Sequence, residues 1–141
     1  MNGLHRVSVL IALPLLSVPL VGRAAPSGGT PNSGTTTISV NGTVTEIDQS
    51  VDFETIEWNS FDIGTGESVV FTLDNINGVT LNNIGGGSVS QILGTLESNG
   101  TLILSNPNGL FFGADSTVNV GSLVATTSTG SLNNDILTLN G

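Results

Sequence analysis

Asp52, Glu54 and Glu57 are the closest this 141-residue sequence comes to a reactive cluster. A pair of carboxylates is the minimum equipment for hydrolysing a glycoside, one as acid and one as nucleophile or base, on opposite sides of a cleft. Asp52 and Glu54 stand two residues apart. That spacing puts both on one side of a strand, as ordinary solvated side chains. Other chemistries lack their parts. The only histidine is His5, the only other basic residues are Arg6 and Arg23, and there is no cysteine. Beyond Arg23 no base serves a hydroxyl nucleophile, no lysine can form a Schiff base, and no imidazole or thiolate can ligate zinc. Gly85-Gly86-Gly87 runs into Ser-Val-Ser and lacks the acid of a calcium-binding glycine-rich repeat. The residues predict no enzyme, no metal site and no cofactor. All 11 carboxylates lie beyond Arg23 with no basic side chain to balance them, which disfavours nucleic acid and phosphate as ligands.

The strongest local signal is a turn. Asn106-Pro107-Asn108-Gly109 separates two apolar runs, residues 102–104 and 110–112. Asn106 can bond its side chain to the backbone two residues on, and Pro107 pre-sets φ at the second position. Asn108 tolerates a left-handed or bridge conformation, and Gly109 relieves crowding at the exit. The turn is expected to aim Leu102, Leu104, Leu110 and Phe112 at a core.

The elements that must position this turn are short strands. Residues 1–25 stand apart as a secretory signal peptide: Arg6 near the start, an apolar middle over 7–21 broken by Pro14 and Pro19, and small residues ending at Ala24 and Ala25. The middle is too short and too proline-kinked for a spanning helix, so no stable membrane insertion is expected. Residues 26–37 are rich in Pro, Gly, Ser and Thr and predict a flexible lead-in. Asn41-Gly42 between alternating segments predicts a two-residue hairpin. Across residues 51–58 the apolar parity changes, which predicts a bulge near Glu54 and Thr55.

Short apolar strands follow at 68–73, 79–81, 90–93, 101–104, 110–112, 117–120, 123–127 and 136–139. Asparagines sit at the corners and no window is convincingly helical. Several gaps are near ~20 residues. That beat suits a parallel β-helix, and a sandwich or barrel stays open on the same grounds. A β-helix needs a cap over its first coil, and residues 38–58 are placed to supply it. Trp58 and Phe61 read as its core aromatics.

Five ordered segments carry a resemblance. Trp58-Asn-Ser-Phe-Asp-Ile-Gly-Thr-Gly-Glu-Ser-Val69, Val79-Thr-Leu-Asn82, Ser90-Gln-Ile-Leu-Gly94, Asn106-Pro-Asn-Gly-Leu110 and Val118-Asn-Val-Gly-Ser-Leu-Val-Ala125 resemble the filamentous-haemagglutinin N-terminal domain, the secretion domain of two-partner secretion exoproteins. The resemblance covers roughly residues 36–127. It implies an all-β fold: a right-handed parallel β-helix with an N-terminal β cap. It implies a non-catalytic secretion signal, exported through the periplasm and recognised by an outer-membrane β-barrel partner transporter with periplasmic binding domains. The domain would then nucleate β-helix folding outside, secreted or at the cell surface. Parents in this family are adhesins, haemolysins, haem scavengers and toxins, so a host surface is a possible second partner. A self-standing adhesin binding glycan or matrix is the alternative reading. Asn106, Pro107, Asn108 and Gly109 are the expected recognition motif. Two departures stand out. Ser105 replaces an aliphatic residue, so the strand end is expected to fray. The sequence also ends at Gly141, short of where such a domain completes its coils, so residues 38–141 are expected to be a truncated secretion domain.

Overall fold

The computed structural model describes residues 24–133 and 136–141. Most of the expected signal segment lies outside these. Of it only Ala24 and Ala25 are described, and the Ala24 carbonyl accepts a hydrogen bond from Gly64 N–H at 2.9 Å.

Twelve strands and no helix make up the described residues. They are β1 (Thr30–Pro31), β2 (Thr37–Asn41), β3 (Val44–Gln49), β4 (Phe53–Trp58), β5 (Ser68–Leu73), β6 (Val79–Ile84), β7 (Ser90–Ile92), β8 (Thr95–Ser105), β9 (Leu110–Phe112), β10 (Thr117–Thr126), β11 (Thr129–Asn133) and β12 (Ile136–Asn140). The parallel pairings wind them into a β-solenoid of about four turns, which decides between the helix and the sandwich. One face stacks β3, β5 and the first halves of β8 and β10. A second stacks β4, β6 and the second halves of β8 and β10. A third is shorter: Ile63, β7 and β9.

The stacking is what the alternation in sequence specifies. On the first face Thr45, Val69, Leu96 and Val118 lie in register, as do Ile47, Phe71, Ser98 and Val120. On the second face Ile56 lies over Asn82, Asn82 over Leu104 and Leu104 over Ala125. Ile47, Ile56, Phe61, Ile63, Phe71, Ile92, Leu96, Leu102 and Leu104 are almost wholly shielded from water. Each such side chain contributes about 1.5–3 kcal/mol by burial. The coil length varies within the range of roughly 20–29 residues seen in solenoid repeats. The slack lies in the corners, which explains why the sequence period looks imperfect.

The cap lies further toward the N-terminus than residues 38–58. β3 and β4 are the first coil, and antiparallel strands cover their free edges: β2 on β3, β1 on β4. Residues 26–37 therefore hold a strand and a set of specific hydrogen bonds where the composition predicts a lead-in. The hairpin is present, but Asn41 pairs with Val44, so its loop is Gly42-Thr43. No bulge interrupts β4, whose register with β6 is continuous from Phe53 to Trp58. The parity change arises because Glu54 points inward and Phe53 outward: Glu54 is 2% exposed and Phe53 41%. The irregularity falls instead at Asn99 and Gly100 of β8, which together face Gly121 of β10 where the strands round a corner.

Glu54 is the latch of the cap. Asn32 and Ser33 N–H donate to its Oε1 at 3.1 Å each, and Thr55 N–H donates at 3.0 Å. Thr36 Oγ1 donates to Oε2 at 2.5 Å, and Ser33 Oγ donates to the same oxygen. A buried carboxylate is tolerable only when donors replace its water. Residues 24–141 carry no basic side chain to offer, so backbone N–H groups and hydroxyls do so. Beyond the last coil, the β11–β12 hairpin lies against the outside of the second face. Asn83 Nδ2 donates to Gly130 O at 3.1 Å, and Gly130 packs on Leu81.

Glu54→Ala is expected to lower stability by about 2–4 kcal/mol, because it strands several buried donors. Glu54→Gln, which keeps one acceptor oxygen, should cost less. Denaturant midpoints would measure both, and a midpoint for Glu54→Ala equal to the parent's would refute the latch.

Candidate functional site

Asn106 reaches its position by strand alternation. Leu102, Leu104 and Asn106 follow one another along the inner side of the second face, and all three are 0% exposed. A buried primary amide must be paired at both ends. Asn106 Oδ1 accepts from Asn108 N–H at 2.9 Å, the local turn expected from sequence. It also receives Asn108 Nδ2 at 3.3 Å. On the other side Asn106 Nδ2 donates to Ser88 O and Ser90 Oγ, both at 2.9 Å. Ser90 is itself 2% exposed.

The backbone of the turn completes the set. Gly109 N–H donates to Asn106 O at 2.9 Å and closes the turn. Gly109 O accepts from Ser90 N–H at 3.0 Å in the coil before. Asn106 N–H donates to Thr126 O at 3.0 Å in the coil after. One residue therefore joins three successive coils. Pro107 and Asn108 stand outside, exposed. Gly109 has φ +107°, and a Cβ there would meet only a Val89 methyl at 3.9 Å. The turn needs glycine for that left-handed backbone and not to relieve crowding.

Ser105 does not fray. It is 1% exposed within β8, and its Oγ donates to Ser128 O at 2.6 Å, holding the start of the hairpin. A cleft of about 190 Å³ opens beside the turn, lined by Glu57, Asn83, Ser105, Pro107 and Thr129. Glu57 accepts from Asn83 Nδ2 at 3.1 Å and puts a carboxylate at its rim.

Trp58 and Phe61 sit within the first coil, 3% and 0% exposed, as an edge-to-face pair with centroids 5.4 Å apart. Phe61 also stacks on Phe71 at 6.5 Å. Gly29 of the cap lies so close to the indole that a Cβ would come within 2.4 Å of it. The indole N–H donates to Asn82 Oδ1 at 2.9 Å. Asp52, Glu54 and Glu57 do not converge: Asp52 accepts from Asn75 at the surface, Glu54 is inside, and Glu57 is outside.

The amides that serve the backbone, two of them inward and Asn99 exposed, were missed. Asn82 Nδ2 donates to Ile103 O at 3.3 Å. Gln49 Nε2 donates to Val51 O at 2.8 Å and Val79 O at 3.2 Å. Asn99 accepts from Leu73 N–H at 2.8 Å and donates to Leu73 O at 2.7 Å, standing in for a strand partner where the β5–β8 ladder has ended. For Gln49 and Asn82 the available signal was an amide at an inward position of an alternating strand.

Asn106→Ala is expected to cost about 2–3 kcal/mol by thermal or chemical unfolding, through the lost turn bond and the unpaired groups of the previous coil. Asn108→Ala, at an exposed position, should cost under about 1 kcal/mol. Equal costs would contradict the division between a buried and a surface asparagine.

Comparison with known proteins adds the family. The family description that matches is the TPS secretion domain, over residues 22–139. A heme/hemopexin-binding protein of Haemophilus influenzae is 39% identical over 105 residues, covering 74% of this chain and 12% of that protein. A second such protein from Haemophilus influenzae is 43% identical over 81 residues, covering 57% of this chain and 9% of its own. The chain thus spans a small part of these relatives' length. Among solved structures, the HMW1 secretion domain of Haemophilus influenzae superposes with a TM-score of 0.71 at 35% identity, covering 79% of this chain and 29% of that one. The filamentous hemagglutinin secretion domain does so with a TM-score of 0.60 at 22% identity, covering 82% and 46%, a likeness of fold. The chain belongs to the family of TPS secretion domains, the two-partner secretion modules of exoproteins.

Proposed function

We propose that this domain is the secretion signal of a Gram-negative exoprotein. An outer-membrane β-barrel partner transporter recognises it through periplasmic binding domains, and it nucleates β-helix folding after export. The observation that carries this reading is the family match over residues 22–139, on a solenoid whose Asn106 turn ties three coils together. Residues 1–25 serve as the signal peptide for the first membrane, and the product is secreted or held at the cell surface.

The electrostatics support a basic partner. Residues 24–141 contain no Lys, Arg or His, and Glu46, Asp48 and Glu97 line the outside of the first face, with Asp52 and Asp74 at its corner. Such a field favours steered encounter with a positive surface. Absence of cysteine means that no disulfide can lock the chain before passage. At the turn, Pro107 and Asn108 present the accessible surface, and Asn106 and Gly109 hold its shape.

The test is secretion of the tagged chain, with its native leader, from cells carrying its partner transporter. Asn108→Ala is expected to reduce secretion with little change in stability, the signature of direct contact. Asn106→Ala should reduce both. If secretion were unchanged in both variants, the turn would be a connector only.

A further inference from the structure

The described residues contain five Asn-Gly pairs: Asn41-Gly42, Asn77-Gly78, Asn99-Gly100, Asn108-Gly109 and Asn140-Gly141. Asn followed by Gly carries an intrinsic chemistry. The glycine backbone nitrogen attacks the asparagine Cγ, the side-chain nitrogen leaves as ammonia, and a succinimide ring forms. Water then opens the ring to aspartate or isoaspartate. No catalyst or oxidant is needed. Glycine is the favourable successor because no Cβ obstructs the attack. The reaction requires two freedoms: the glycine nitrogen must be unengaged, and the asparagine side chain must be able to swing onto it.

The fold distributes those freedoms unevenly. Asn99 has neither, since its side chain is held by both backbone groups of Leu73, at 2.8 and 2.7 Å, and Gly100 N–H donates to Ser98 Oγ at 3.1 Å. At Asn108 the attacking nitrogen is bonded to Asn106 O at 2.9 Å, and the departing amide is near Asn106 Oδ1 at 3.3 Å. At Asn77 the Gly78 nitrogen is bonded to Asn75 O at 2.8 Å. All of these asparagines are exposed, so it is the bonding that sets Asn41 apart: at the head of the β2–β3 hairpin neither its side chain nor Gly42 N–H makes a hydrogen bond among the described residues, and an added Cβ on Gly42 would find nothing within 4 Å. Asn140 is exposed too, at the end of β12.

We propose that Asn41 is a site of spontaneous deamidation in the folded domain, and that Asn99 and Asn108 convert only while the chain is unfolded. In the unfolded chain nothing separates the pairs. In the folded chain the protected ones react only through opening of the surrounding structure. Modification at Asn99 and Asn108, measured against Asn41, therefore records time spent unfolded. An acid or isoaspartate at residue 99 removes the donor to Leu73 O, so molecules that linger unfolded carry a lesion at the very corner that stacks the second coil on the third.

The experiment is peptide mapping by mass spectrometry of the purified chain, incubated in mildly alkaline buffer, folded and in denaturant. In the folded sample Asn41 is expected to convert at least ~10-fold faster than Asn99 and Asn108, the size of protection that an opening free energy of about 1.4 kcal/mol would already give. In denaturant the three rates should converge. Comparable rates at Asn41 and Asn99 in the folded sample would overturn the proposal. So would a difference that persists in denaturant, because protection would then not come from the fold.

Discussion

Every coil of a solenoid must turn corners, and at each corner the backbone leaves its ladder with polar groups unpaired. The rest of this structure depends on how those groups are answered. Buried N–H and C=O groups cost free energy when orphaned, so a stack of short strands is stable only if its corners are as well bonded as its faces. Here side-chain amides take that place. Asn99 pairs with both backbone groups of Leu73, Gln49 with two carbonyls, and Asn106 with its own turn and the coil before. An amide carries a donor and an acceptor about as far apart as those of a peptide unit, so it can extend a ladder by one rung.

The same constraint explains the cap. The open edge of a first coil is a template for unwanted pairing. β1 and β2 close it, and Glu54 holds the segment between them. In most proteins a buried carboxylate is answered by Arg or Lys. With no cation after Arg23, five donors from backbone and hydroxyl groups replace the ion pair. The short polar residues of 32–36, which make that segment look unstructured, supply four of the five donors.

Much of this was legible because it is local. β5 and β9 match the alternation in their boundaries, and the Asn106 turn follows from residue chemistry over four positions. The expected gap between residues 120 and 123 is a continuous strand, because Asn99 and Gly100 absorb the corner from the neighbouring coil. Glu54 was read as solvated because its spacing from Asp52 puts both carboxylates on one side of a strand, where charges normally face water. Its burial depends on donors about 20 residues away in sequence, which no window around Glu54 reveals. β11 was missed for a related reason: Gly, Ser and Asn make a weak strand signal, and its partner and its resting place on the second face supply the missing order.

Asn106 has a mechanical consequence. Strand hydrogen bonds in this solenoid run from coil to coil, along its axis, so tension applied between its ends loads the ladders rung by rung. Asn106 reaches Ser88 and Ser90 on one side and Thr126 on the other. Peeling the last coil breaks one strut of the same rigid turn that fastens the two coils behind it. Tension that peels the last coil must therefore break the Asn106 bond to Thr126 together with the β8–β10 ladder, and it pulls on the turn that is fastened to the coil behind.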